Sequence, residues 1–341
     1  MQKSPIAFCV LCHVLAVFLL TGTAAMALGL SDLPPAAQET IQSNLNGRTV
    51  GGIETKNDNG DISYHVELKS RDGEGWDLTV GEGGKLLSID VTLADLPPVV
   101  QTAITTQVGQ GKLDGVARQS YDGQTTYLAG ITDANGNARD FTFAGDGSVS
   151  STEASLTDIP DAVKQAVNAQ VGQGKLEGID KTLDDGEINY DATMTNPAGQ
   201  ERNFTVDEDG VLVSKEVILA ELPPDIQKVI TDQVGSNKLT GIDETFSGAA
   251  ASYDATMVTS GGQMRDFSLS LTGKLISHQV FADEVPPPVQ DTITRVTAGG
   301  TVTRIDLYFG AFPHYEIQGR KDGAPFDFKV GPKGKFRGME N

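Results

Sequence analysis

The residues with the best claim to chemistry are acids and amides at alternate positions. Asp133-Ala134-Asn135-Gly136-Asn137 and Asn57-Asp58-Asn59-Gly60-Asp61 both begin as calcium loops begin. A full EF-hand loop also needs a bidentate Glu at its twelfth position. That position is Ala144 counted from Asp133 and Leu68 counted from Asn57, so neither loop closes on a hard cation. Asn-Gly is a hairpin signal in its own right, and both stretches read as turns with weak surface cation binding at most.

Proton-transfer chemistry finds less support. Beyond residue 27 the histidines are His65, His278 and His314, far apart in sequence. His65 alternates with apolar neighbours and reads as the solvated side of a strand. The paired acids Asp184-Asp185 fall in a turn, where nothing buries them to raise a pKa. No nucleophile elbow, zinc-type His-Glu pair or phosphate-cradling loop is present. The sequence therefore points away from an enzyme, with no catalytic residue, metal ligand or cofactor site to name.

The elements that carry these residues repeat. Pro34, Pro97, Pro160, Pro223 and Pro286 stand 63 residues apart, and so do Ile53, Val116, Ile179, Ile242 and Ile305. Tyr64, Tyr127, Tyr190 and Tyr253 keep the same interval, as do Gly84, Gly147, Gly210 and Gly273. A period held at four separate markers means tandem modules. The expected division is residues 1–27 as an export signal, then modules at 28–92, 93–155, 156–218, 219–282 and a divergent 283–341.

Residues 156–218 show one module most clearly. Asp158 ahead of Pro160 reads as a capping acid followed by a first-turn proline. Val163, Val167 and Val171 then fall four apart on one helical stripe, and Gly172 suits a left-handed helix end. Four strands follow. The first runs over Lys175–Leu183 with Ile179 inward, and Asp185-Gly186 turns the chain, as Asp122-Gly123 does one module earlier. Tyr190, Ala192 and Met194 alternate with Asp191 and Thr193, and Phe204 and Val206 alternate with Asn203 and Thr205. Asn196-Pro197-Ala198-Gly199 and Asp209-Gly210 supply the later turns, and Leu212 opens the fourth strand. Period-two alternation describes an antiparallel sheet with one buried and one wet face. The expected fold class is α+β: five tandem modules, each one helix packed on a four-stranded antiparallel sheet. A unit of this size is marginal alone, and no Pro/Ser/Gly linker separates one from the next, so neighbours should share surface.

The first 27 residues read as an export signal: Lys3, an apolar run over Ile6–Leu20, and the small-x-small site Ala25-Met26-Ala27. An uncleaved anchor is the alternative. Both cysteines, Cys9 and Cys12, lie inside this segment, so the mature chain has no thiol or disulfide chemistry. A soluble periplasmic or secreted product is expected. Residues 1–27 carry +1 and residues 283–341 balance eight acids with eight bases, so 28–282 hold −20 − 1 − 0 = −21. Such a surface repels nucleic acid and anionic lipid, keeps the chain soluble, and attracts a basic protein face.

The leading Leu-Pro helix, the strand Tyr64-His65-Val66-Glu67-Leu68 and the aromatic strand running from Phe204 to Asp209-Gly210 resemble the PepSY-like superfamily. The likeness covers all five repeats and is closest to the branch named for similarity to β-lactamase-inhibitory protein. It implies an exported bacterial protein that binds or inhibits other proteins, peptidases and β-lactamases among them, with no catalytic residues to carry over.

Two surfaces remain as candidates for binding. The wet strand faces repeat Asp140 and Thr142, Asn203 and Thr205, Asp266 and Ser268, which reads as a solvated face or a flat docking surface. The last module adds Tyr308, Phe309, Phe312, His314 and Tyr315 around a hairpin, with Lys329, Lys333, Lys335 and Arg337 nearby. That module reads as an end cap, and its aromatics beside basic groups also suit an interface. Trp76 shares parity with Leu78 and Val80 and reads as core edge. The expected partner is another exported or envelope protein, bound without nucleic acid or membrane insertion. A structural spacer and a low-affinity cation binder are the alternatives.

Overall fold

The computed structural model describes residues 28–58, 61–121, 124–184, 186–248, 250–321 and 324–340. The expected export signal at 1–27, and Asn59, Gly60, Asp122, Gly123 and Asp185 of the expected turns, lie outside the described residues.

The elements recur in one order. First come α1 (Pro35–Asn44), β1 (Thr49–Asp58), β2 (Asp61–Lys69), β3 (Gly75–Gly81) and β4 (Leu86–Asp90). The second set is α2 (Pro98–Val108), β5 (Lys112–Tyr121), β6 (Gln124–Thr132), β7 (Ala138–Ala144) and β8 (Val149–Ala154). Next are α3 (Asp161–Val171), β9 (Lys175–Asp184), β10 (Glu187–Thr195), β11 (Glu201–Asp207) and β12 (Leu212–Glu216). The fourth set is α4 (Pro224–Val234), β13 (Lys238–Ser247), β14 (Ala250–Val258), β15 (Met264–Ser270) and β16 (Leu275–Gln279). Last come α5 (Pro287–Thr297), β17 (Thr301–Tyr308), β18 (His314–Lys321), β19 (Ala324–Val330) and β20 (Phe336–Glu340). The helices begin at 35, 98, 161, 224 and 287, in step with the 63-residue period. The chain is α+β with antiparallel strand pairing.

Each helix buries its stripe against alternate strand residues. Val100 and Ile104 pack with Val116, Tyr127, Ala129, Ile131 and Phe143, and Ile226 and Ile230 with Ile242, Tyr253, Met257, Phe267 and Leu269. Ala37 and Ile41 pack with Val66, Leu78 and Val80, while Val289 and Ile293 pack with Ile305, Ile317 and Phe328. Val163, Val167, Ile179, Tyr190, Ala192 and Met194 are all buried as the alternation requires. A three-turn helix has little stability of its own, so this packing holds it.

The helix ends differ from expectation in detail. Asp158 caps the turn before α3, not α3 itself. Its Oδ2 accepts from the Ser155 amide at 3.0 Å, and Pro160 occupies the N-cap position with no side-chain cap. The same closure recurs from Asp32 to Gly29, Asp95 to Thr92, Glu221 to Ile218 and Glu284 to Phe281. An acid just ahead of a proline satisfies both geometries on paper. Proline has fixed the helix start, which leaves the acid to the turn. A glutamine then ties helix to turn: Gln38, Gln101, Gln227 and Gln290 donate to the carbonyls of Leu33, Leu96, Leu222 and Val285 at 2.6–2.8 Å. At the other end Gly109, Gly172 and Gly235 take positive φ as expected. Their ψ values of −111°, −112° and −120° lie outside the left-handed helix, in a region favourable only to glycine.

Two compact units are present, one up to Glu201 with Val206–Gly210, the other Arg202–Thr205 with Val211–Asn341. In the first, β1 to β10 pair in sequence order, and in the second β12 to β20 do the same. Four strands per set therefore do not make isolated four-stranded sheets. The last strand of one set pairs with the first of the next: Ile89 with Arg118, Thr152 with Lys181, Lys215 with Glu244, His278 with Leu307. Pairing at these junctions satisfies edge N–H and C=O groups that would otherwise stay open. An arginine clamps the same junctions. Arg139 reaches Asp158 at 3.1 Å, Arg202 reaches Glu221 at 3.6 Å, and Arg265 reaches Glu284 at 2.7 Å while lying over Phe281. Trp76 takes the corresponding place in the first set, packed at the core edge under the Arg48 guanidinium.

Candidate functional site

The β17–β18 connection gathers the aromatic residues singled out in the sequence. Tyr308 and His314 are cross-strand partners, and their rings stack with centroids 5.2 Å apart and planes 8° from parallel. Between them the loop turns through Gly310 at φ 141°. His314 Nδ1 donates to the Phe312 carbonyl at 3.1 Å in the tautomer this contact requires, and Arg337 Nη1 reaches the same oxygen at 3.4 Å. The Phe309 amide donates to the Ile276 carbonyl at 2.8 Å, which ties the loop base to β16. With its base held, the loop presents Phe312 at 80% exposure and Phe309 at 40%. Tyr315 faces the other way, buried in the α5 core. Of the basic group, Lys329 turns toward Glu316 at 3.8 Å, so it balances a buried acid.

That acid belongs to a cluster the sequence reading passed over. Arg304 donates from Nε to Asp306 at 2.6 Å and from Nη1 to Asp266 at 2.7 Å. Burial opposes its charge, but the hydrogen bonds to Asp306 and Asp266 outweigh burial and raise its pKa. A signal was available: Gly52, Gly115, Gly178 and Gly241 hold this position in the other sets, and only the last has a side chain there.

The helix-free strand faces are less wet than alternation suggests. Thr182 donates to Asp191 at 2.9 Å, Thr245 to Asp254 at 2.6 Å and Thr256 to Asp266 at 2.9 Å, while Ser268 also donates to Asp254. Thr193 is only 6% exposed. Side chains on fourth strands accept from third-strand amides in the same way each time, Asp90 from Asp77, Glu153 from Asp140, Glu216 from Asn203 and Gln279 from Asp266. Acids therefore crowd at the junctions. Burial, then Glu153 and Asp180, raises the Asp140 pKa, and burial, then Glu216 and Asp254, pushes Asp243 up to about 6. At the last junction Gln279 and Arg304 replace that repulsion with attraction.

The remaining candidates take structural roles. Asp133 Oδ1 accepts from the amides of Asn135 and Asn137 at 2.8 and 2.9 Å, which is an Asx turn. Asn196 does the same for Ala198 and Gln200. His65 lies near Asp77 at 3.4 Å on the exposed face. His278 meets Phe267 edge-on, and burial, with help from Arg265, lowers its pKa. Among the described residues no group of three or more His, Cys, Asp or Glu is arranged to hold a metal ion. No helix among them is long and apolar enough to cross a membrane.

Comparison with known proteins finds one family and several solved structures. The family described as "Putative beta-lactamase-inhibitor-like, PepSY-like" matches residues 21–88 and 126–214. Those stretches, a little under half of the chain, are similar to the PepSY-like family. The PepSY-like stretches span α1 to β4 and continue from β6 into β12. Among curated proteins none matches. Solved structures similar to parts of the chain include a "putative calcium-regulated periplasmic protein" of Bacteroides thetaiotaomicron, at 14% identity and TM-score 0.26, covering 38% of this chain and 97% of that one. A "putative periplasmic protein of unknown function" of Bacteroides vulgatus matches at 22% identity and TM-score 0.26, over 36% and 91%. One described as "putative periplasmic proteins" from Bacteroides eggerthii matches at 20% identity and TM-score 0.29, over 35% and 88%.

Proposed function

We infer that this is an exported protein of the periplasm or cell exterior that acts, without catalysis, by binding another exported or envelope protein. Its modules are five copies of one helix on four strands, and residues 1–27 direct export. The observation that carries the reading is the β17–β18 loop. Phe312 and Phe309 stand out at 80% and 40% exposure on a base fixed by the Tyr308–His314 stack. Aromatic side chains projecting from a rigid base lose little entropy on docking and dominate interface energetics.

Within that reading the partner is a hydrolase of peptidase or β-lactamase type; the family description speaks for the β-lactamase alternative. The mechanism is steric: Phe309 and Phe312 enter a cleft, and the −21 charge of residues 28–282 steers a basic target toward the acidic strand faces. A spacer role is the second reading, favoured by the paired junction strands and their arginine clamps.

Affinity capture from an exported fraction with the chain lacking residues 1–27 tests the proposal. A single stoichiometric hydrolase, lost when Phe309→Ala and Phe312→Ala are combined, is the expected result. Each substitution should leave stability within about 0.5 kcal/mol, because both side chains are exposed. Capture that is unchanged in the double variant removes the loop from the site, and capture of envelope polymer alone supports the spacer.

A further inference from the structure

The junction between successive sets is built four times from the same parts. The fourth strand meets the next first strand in one register: Ser88 with Gln119 and Asp90 with Ala117, Ser151 with Thr182 and Glu153 with Asp180. The later pair repeat it: Ser214 with Thr245 and Glu216 with Asp243, Ser277 with Tyr308 and Gln279 with Asp306. The next residue extends the ladder, from Val91 N to Val116 O, Val217 N to Ile242 O and Val280 N to Ile305 O, each at 2.9 Å.

Two strands of these types have one edge without a strand among the described residues. β1 is a first strand and pairs with β2, and β20 is a fourth strand and pairs with β19. Their internal registers match the junction strands. Met339 stands opposite Phe328 as Ile89 stands opposite Leu78, and Phe336 opposite Val330 as Leu86 opposite Val80. Exposure differs between the two equivalent positions: Ile89, whose strand also pairs with β5, is 6% exposed, and Met339 is 53%.

We propose that β20 of one copy of this protein pairs with β1 of a second copy, head to tail, in the register of the internal junctions. Carried over, that register sets Gly338 against Lys56, Met339 against Thr55 and Glu340 against Glu54. Charge favours this polarity, since Lys333, Lys335 and Arg337 lie at or beside β20, while residues 28–282 are strongly acidic. Head-to-tail contacts of this kind are heterologous, so association adds protomers one after another, into a ring where the rotation closes and an open chain where it does not.

Sedimentation of the chain lacking residues 1–27, over a wide concentration series, gives the first readout. Average mass that climbs through successive whole protomers is expected. A constant monomer mass overturns the proposal, and so does a dimer plateau that persists when β1 is altered. In the junctions the amides facing the neighbour are those at the parity of Ile242 and Glu244, hence Ile53 and Thr55 in β1. Thr55→Pro removes an edge-facing donor without breaking the β1–β2 ladder and should weaken association about tenfold or more. Association untouched by this change also overturns the proposal.

Register is tested by Glu54→Cys with Glu340→Cys in the otherwise cysteine-free mature chain. Non-hydrogen-bonded antiparallel pairs approach closely enough for a disulfide. Mild oxidation should give a ladder of covalent multimers. Thr55→Cys with Glu340→Cys points the two thiols to opposite faces and should not. Equal ladders from both pairs, or dimers from Glu54→Cys alone, overturn the assigned pairing.

Discussion

Asp243 is the side chain whose charge most directly opposes the fold. Its pKa is pushed up to about 6 by burial and by Glu216 and Asp254, against an ordinary 3.8. A raised acid binds its proton more tightly folded than unfolded. Its stabilising contribution is complete below the unfolded value and disappears as pH rises through about 6. Asp243→Asn should therefore raise the unfolding midpoint at pH 8, by on the order of 1 kcal/mol after allowance for solvent screening, and leave it nearly unchanged at pH 4. Thermal melts at the two pH values measure the difference; equal gains at both would assign the effect to packing. Glycines divide in a comparable way. Gly84 and Gly136 share φ values of 83° and 88°, but a Cβ on Gly84 would meet the Ala36 carbonyl at 2.7 Å, whereas one on Gly136 meets nothing within 4 Å. Gly136→Ala should cost about 1 kcal/mol from backbone strain alone. Gly84→Ala should cost about 3 kcal/mol, because the helix start must also move. Denaturant titration of the two variants separates strain from collision.

Between elements, the arginine clamps form a graded series. Arg265 grips both oxygens of Glu284 at 2.7 Å with its side chain only 15% exposed, whereas Arg139 holds one oxygen of Asp158 at 3.1 Å with 38% exposed. Arg265→Ala should lose about 2 kcal/mol and Arg139→Ala less than about 1, read as shifts in chemical-denaturation midpoint. The positions of these arginines were legible as a 63-residue interval, and so were Gln38, Gln101, Gln227 and Gln290. Their roles were not. Strand alternation tells which residues face a helix, as it did for Ile179 and Tyr190, but it is silent on which strand lies alongside. The pairing of β4 with β5 or β16 with β17 thus needed coordinates. The same limit hid the knitting of Thr245, Asp254 and Ser268, since each alone resembles a solvated side chain. At the β17–β18 loop the reverse held, because Phe309 and Phe312 are conspicuous by type in a chain with few aromatics.

For the molecule as a whole, one consequence of the repeated register is modular length. Removing residues 93–155 would bring Asp90 opposite Asp180, the combination that Glu153 and Asp180 already make. The shortened chain should fold cooperatively with an unchanged ratio of helix to strand by circular dichroism, and a molten product would show that the sets are not equivalent. The acidic surface should keep either form in solution at neutral pH.

A chain with four near-identical seams must also choose among them while it folds. β4 finds in β9 almost the same ladder it makes with β5, and a wrong choice leaves an intervening helix and four strands stranded outside the array. Recovery requires undoing a well-bonded seam, so dilution from denaturant should yield a fast native fraction and a slow, concentration-independent remainder. Synthesis from the N-terminus offers each seam its neighbour before any competitor exists, and full recovery in one fast step after dilution would show that the small differences between seams already suffice as addresses.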